Sequence, residues 1–276
     1  MTRFLSACLL ALLLSAPAAW AQTDDADAAF QSIYEKEWAW RQADSGRGGS
    51  EDDDPDPSTR RMPDVGPEAQ ARRLAMWEDV LGQLDAIDAS QLSEQNQVNL
   101  AVYRPQLEAL AANVRLRAYE MPFNSDSSFW AALGFMTRGD FRNADAYRAY
   151  AARLRDVPRY FDQQIDNMRA GLARGFSVPR AVLDGRDVSI AAVAELTDPE
   201  QAALWSPYER MPASIPATEQ QALRDEGRAA IAEAVIPAFA TLLTFYRDEY
   251  MPQARTTLAA EAMPGGEEFY RAQIRE

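Results

Sequence analysis

The stretch NADAYRAYAARLRDVPRYFDQQIDNMRAGLA, Asn143 to Ala173, decides the fold class. Its large apolar residues are Tyr147, Tyr150, Leu154, Val157, Phe161, Ile165, Met168 and Leu172, at spacings of 3, 4, 3, 4, 4, 3 and 4. A helix turns once every ~3.6 residues, so this spacing lays one stripe along one helical face. A strand would need alternation at every second residue. The aromatic stripe reads as core. Pro158 lacks an amide donor and fits a first turn, so the pattern predicts two helices, the second capped by Asp156. Gly175 stands where a left-handed C-terminal cap belongs.

Working toward the N-terminus, Glu68 to Ile87 repeats the pattern with Leu74, Trp77, Leu81 and Leu84, and Pro67 suits its first turn. Ser93 is a good N-cap for a helix carrying Tyr103, Leu107, Leu110 and Val114. The short link from Asp88 to Leu92 predicts an antiparallel hairpin, and Pro105 predicts a kink or restart in its second arm. Asp24 to Asp44 reads as a first helix, with Phe30, Ile33, Trp38 and Trp40 as its apolar surface. Between these elements, residues 45–64 hold Gly46, Gly48, Gly49, the acidic run Glu51 to Asp54, and Pro55, Pro57 and Pro63. The run lacks the alternating ligands of a calcium loop, so it reads as a flexible, solvated acidic loop.

Toward the C-terminus, Asp187 to Leu196 reads as a short helix after an Asp184-Gly185 turn, and Asp198 to Pro216 as irregular. Thr218 and Gln221 match a capping box. Leu223, Ile231, Val235, Phe239, Leu242 and Tyr246 stripe one long helix, with a kink expected at Pro237 and a bend at Pro252. Ala254 to Ala262 is expected to continue helical before a turn at Pro264-Gly265-Gly266. A last helix begins at Glu267 and is still periodic at Glu276, with no stop signal, which is expected of a chain that continues into further structure. No alternating strand pattern stands out anywhere, so the expected class is all-α.

The first 21 residues read as a secretory signal peptide rather than as fold. Arg3 supplies the positive region, Phe4 to Leu14 the apolar one, and Ala19-Trp20-Ala21 the small-residue cleavage site. Leu5-Ser6-Ala7-Cys8 resembles a lipobox, but Cys8 precedes most of the apolar run, so cleavage after Ala21 is the better reading. The protein is thus expected to be periplasmic or secreted. No other apolar run reaches the ~20 residues that span a bilayer, so no membrane association is expected after cleavage. Residues 22–276 are expected to form the N-terminal part of one large helical domain.

The chain has no histidine, and its single cysteine lies in the leader. Imidazole and thiolate chemistry are therefore excluded from the mature part, which makes it a poor holder of zinc on its own. No cofactor is expected in this chain. The net charge of −14 argues against nucleic acid as a partner.

The candidate site is Glu120-Met-Pro-Phe-Asn-Ser-Asp-Ser-Ser-Phe-Trp130, which joins two helical segments. It sets aromatic residues beside hydrogen-bonding ones, as pocket-lining loops do. Phe123 and Trp130 are the expected walls, and Asn124, Ser125 and Asp126 the expected polar contacts. Ser125 or Asp126 would serve equally well as a helix cap. Arg138, Asp140 and Arg142 follow closely and read either as a carboxylate-binding group or as a surface ion-pair cluster. No residue reads as a catalytic acid, base or nucleophile.

These same residues, with Arg153 to Phe161, Asn167 to Leu172, Gly185-Arg-Asp187, Ala234 to Pro237 and Ala254 to Thr257, resemble the N-terminal half of the bacterial domain-of-unknown-function 885 (DUF885) family. That family resembles helical zinc metallopeptidases. The resemblance implies that this chain is an incomplete half of a larger helical fold, truncated before the His/Glu zinc motif. It implies zinc in the full-length protein, a peptide or small amide as substrate, and a missing C-terminal half as the natural partner. No metal ligand carries over to any residue here. A second reading is a non-enzymatic periplasmic module that binds peptides or proteins.

Overall fold

The computed structural model describes residues 17–45 and 61–275. The regular elements among the described residues are all helical, and the one β-feature among them is an isolated bridge between Phe123 and Ser128. The leader up to residue 16 and residues 46–60 of the acidic loop lie outside the described residues.

Eight helices carry the fold: α1 (Pro17–Asp44), α2 (Pro67–Asp85), α3 (Glu94–Arg115), α4 (Ala144–Arg155), α5 (Val157–Ala173), α6 (Val188–Ala194), α7 (Ala217–Gln253) and α8 (Gly266–Arg275). Short 3-10 turns and a one-turn helix join them. The hairpin of α2 and α3 is antiparallel, with ion pairs Arg104–Asp85 and Arg115–Glu78 running in opposite chain directions. Ser93 caps α3 by accepting from the amide of Asn96, as expected. The kink expected at Pro105 does not divide the helix. Pro105 and Ala101, whose carbonyl loses its partner, both lie on the exposed face, where water satisfies it.

Two cores result. The smaller joins α1, α2 and α3 through Phe30, Trp77, Leu84, Tyr103 and Leu107. At its centre the buried carboxylate of Glu37 accepts from Arg41 (2.8 and 2.7 Å), from Trp77 Nε1 (3.2 Å) and from the Tyr103 hydroxyl (2.9 Å). The larger core wraps α4, α5 and α6 around α7, and the stripe from Tyr147 to Met168 lies within it.

Several local expectations are corrected. Asp156 ends α4 and precedes α5, but its carboxylate does not cap; it accepts from the amide of Met62 and from Arg159. Residues 61–65 are accordingly no free loop, because Arg159, Gln163 and Asn167 of α5 also bond to them. The capping box does not form. Helix α7 starts two residues early, at Ala217 with Pro216 in the N-cap position, and Gln220 rather than Gln221 reaches back, to the carbonyls of Pro212 and Ile215. Pro237 brings no break, whereas Pro252 stands one residue before the helix ends at Gln253; each follows a π-helical turn, Ile231–Val235 and Tyr246–Tyr250, which widens the backbone where proline removes a donor. Ala254 to Ala259 leaves the helix altogether. Gly175 caps α5 in the left-handed conformation at φ 77°, as expected.

Helix α7 also revises the expectation about apolar runs. By length and composition it could cross a membrane, but half of its most apolar window is buried inside the protein. It is the central core helix.

Buried tyrosines give the fold an alkaline limit. Burial raises the phenols of Tyr103, Tyr150, Tyr208, Tyr246 and Tyr250 above their ordinary value, Tyr250 to about 12. Unfolded phenols lose their protons first, near pH ~10. Stability is therefore full below that pH and falls as pH rises through the folded values. A melting temperature flat to about pH 9 and dropping steeply above 10 is expected. A flat profile up to pH ~12 would contradict the burial.

Candidate functional site

The connector between α3 and α4 begins at Arg117, the one described non-glycine residue with a left-handed backbone (φ 58°). This reversal sends Ala118–Glu120 back across the end of α5. The fully buried Glu120 is paired there with Arg174 and Arg117. Gly171 permits the approach: a Cβ would stand 2.8 Å from the carbonyl of Glu120 and 2.7 Å from that of Phe176.

Residues 123–128 then form a tight turn. The Phe123–Ser128 bridge closes it, and the Asn124 amide donates to the carbonyl of Ser127 at 3.0 Å. The side-chain oxygen of Asn124 accepts from the amides of Asp126 (3.0 Å) and Ser127 (2.8 Å) and from the Ser127 hydroxyl (3.0 Å). From outside, Arg186 clasps the turn by donating to the carbonyls of Ser125 (2.8 Å), Asn124 (3.0 Å) and Ser127 (3.4 Å). Composition gave no sign of Arg186's role; the signals were its position beside the Gly185 turn (φ 75°) and its place in the Gly185-Arg-Asp187 stretch that carries the family resemblance.

The five predicted residues are brought together, but on two different sides. Phe123 and Trp130 are buried, each 3% exposed. Phe123 packs 5.2 Å from Trp130, 5.3 Å from Tyr250 and 6.2 Å from Tyr246. Trp130 Nε1 donates to Ser189 Oγ at 3.0 Å. Neither ring faces an opening, because Phe129, Tyr246 and Tyr250 close around them. Asn124, Ser125 and Asp126 are exposed at the tip. The capping role open to Ser125 or Asp126 falls to Asn124 and to Ser128, whose hydroxyl accepts from the amide of Ala131. The tip therefore presents the side chains of Ser125 and Asp126 on a pinned backbone. Arg142 pairs with Asp140 on the surface, and Arg138 lies over the ring of Phe135.

Two open grooves lie elsewhere. One, of about 230 Å³, is lined by Asp44, Arg61, Met62, Asp64, Arg159 and Gln163. The other, of about 540 Å³ between α5 and α7, includes Asp162, Asp166, Arg169, Thr241, Thr244 and Glu249. Its one arginine is already engaged, since Arg169 makes a bidentate pair with Glu249 (2.9 and 2.8 Å) and also pairs with Asp166. Among the described residues no three His, Cys, Asp or Glu side chains converge as a metal site would require. The residues present do not fit zinc.

A family model described as bacterial protein of unknown function (DUF885) matches residues 45–276. No curated protein matches significantly. Among solved structures, the "putative lipoprotein from Colwellia psychrerythraea" is similar at a TM-score of 0.68 and 15% identity, over 92% of this chain and 46% of that one. At that identity the likeness concerns the fold, and the chain spans less than half of its neighbour's length.

Proposed function

The chain belongs to the DUF885 family of bacterial proteins, and from that premise we propose that it is the first half of an exported, metal-dependent, peptidase-like hydrolase. The coverage carries this reading: almost the whole chain superposes on under half of a larger protein. The leader-like residues 1–21 and the lipoprotein description of that neighbour support export. The metal ligands and the general base would belong to the second half, since no metal-binding cluster occurs among the described residues. Its own contribution would be a substrate contact. The clasped turn would hold Ser125 and Asp126, with Asn124 as its internal brace, against a peptide or small amide. Phe123 and Trp130 would act behind it as the packed support that fixes the turn.

The test is to express the uninterrupted reading frame beside the 276-residue chain. The longer product should bind zinc and hydrolyse peptides, and the shorter should do neither. In the longer product, Asn124→Ala should lower turnover roughly tenfold, with little change in melting temperature, because the turn loses its brace. Asn124→Asp keeps the accepting oxygen and should retain most activity. Unchanged turnover in Asn124→Ala would make the segment a connector only. The other reading, a non-enzymatic module binding peptides or proteins, is favoured by the exposed polar tip without an acid–base pair; a longer product that binds peptide yet never cleaves it would select it.

A further inference from the structure

We infer that the edge formed by Leu258 and by Tyr270 and Ile274 of α8 is the docking face for the second, helical half of the full-length protein, an inference that rests on the reading above. Helix α8 has an apolar stripe wider than this chain covers. Phe269 lies on its inner side and packs edge-on against Phe176 at 5.2 Å. Gly266 sits so close that a Cβ would stand 1.8 Å from the carbonyl of Ala260. Tyr270 and Ile274, one turn apart on the shoulder, remain 57% and 68% exposed.

Leu258, 68% exposed, lies two residues before the turn Ala260–Ala262 that packs against α8. Its loop is built rather than loose. Arg255 donates to the carbonyls on both sides of Leu258, Thr257 (2.5 Å) and Ala259 (3.0 Å), and to that of Ser177 (2.8 Å). The Arg255 amide donates to Ser177 Oγ at 3.0 Å, and its carbonyl accepts from the Arg180 amide at 2.8 Å. At the far end of α8, Gln273 donates to Asn113 of α3 at 3.0 Å. Three large apolar side chains are thus held out on fixed backbone, which lowers the ordering entropy of association. The occupant follows from proportion. The solved neighbour matches 92% of this chain and has more than as much polypeptide again, since this chain covers only 46% of it.

The test compares Leu258→Asp, Tyr270→Glu and Ile274→Asp in two proteins, the 276-residue chain and the product of the uninterrupted reading frame. In the shorter chain these positions are exposed, and the melting temperature should not move. In the longer product each charge would be buried, and the melting temperature should fall by several degrees. Wild-type α8 amides should exchange roughly tenfold more slowly in the longer product. Charged variants that are neutral in both proteins would overturn the inference, as would a reading frame ending at Glu276. A concentration-dependent dimer of the shorter chain, dissolved by the variants, would assign the face to a second copy instead and overturn it too. Zinc content and turnover of the wild-type longer product are read separately, so a folded, docked but inactive protein would fail the functional proposal and leave this one standing.

Discussion

Glu37→Ala is expected to destabilise the α1–α3 unit by about 3–5 kcal/mol, the largest effect of any single change considered. The carboxylate is the hub of the small core, accepting from Arg41, Trp77 and Tyr103, and its side chain is wholly inaccessible. Removing it leaves the Trp77 N–H and the Tyr103 hydroxyl buried without their acceptor, each a loss of ~1–3 kcal/mol. Arg41 is partly exposed and can turn to water, which keeps the total within that range. Because this core is separate from the larger one, the loss should appear as a first transition in denaturant, reported by Trp77 fluorescence, ahead of the main unfolding. Glu37→Gln preserves an acceptor and should lose less. A single transition at the wild-type midpoint for Glu37→Ala would refute the hub.

Gly227→Ala should destabilise the larger core by about 3 kcal/mol, against the ordinary gain from alanine in a helix. The added Cβ would stand 2.3–2.8 Å from three ring atoms of Tyr208. That ring is fully buried, stacked on Trp205 at 4.9 Å and flanked by Tyr147 and Tyr150, so it has no direction in which to yield. Intrinsic propensity favours alanine by only ~0.5–1 kcal/mol, so the clash wins. Tyr208→Phe is the informative companion. The Tyr208 hydroxyl is buried with no hydrogen-bond partner among the described residues, so its removal should be neutral or stabilising. A melting temperature for Gly227→Ala at or above that of the wild type would show that the ring can move.

Both positions illustrate what the linear pattern conceals. Glu37 lies beside Glu35 and Lys36 and reads as one more charge on a solvated helix face. Gly227 reads as a mild defect in a helix. Only the partners, 40 and 66 residues away for Glu37, make the carboxylate a hub. The candidate site divides in the same way. Its location between two helical segments, and the small polar residues suited to turn and cap chemistry, were readable from local sequence. The side on which each aromatic falls was not, because Phe123 and Trp130 have the same composition whether they line a cleft or fill a core. The rings of Tyr246 and Tyr250, more than a hundred residues on, place them in the core.

The helices themselves, the all-α class, the Ser93 and Gly175 caps and the absence of imidazole and thiolate ligands in the mature part were determined by sequence alone. Each depends on interactions within about a turn, or on which residue types are present at all. Tertiary structure alone decided that α7 runs on through Pro237, that residues 61–65 are strapped to α5, that Arg186 clasps the candidate turn, and that Tyr270 and Ile274 stay open. Those outcomes depend on contacts between residues far apart in the chain, and helical periodicity carries no information about which distant face a stripe will meet.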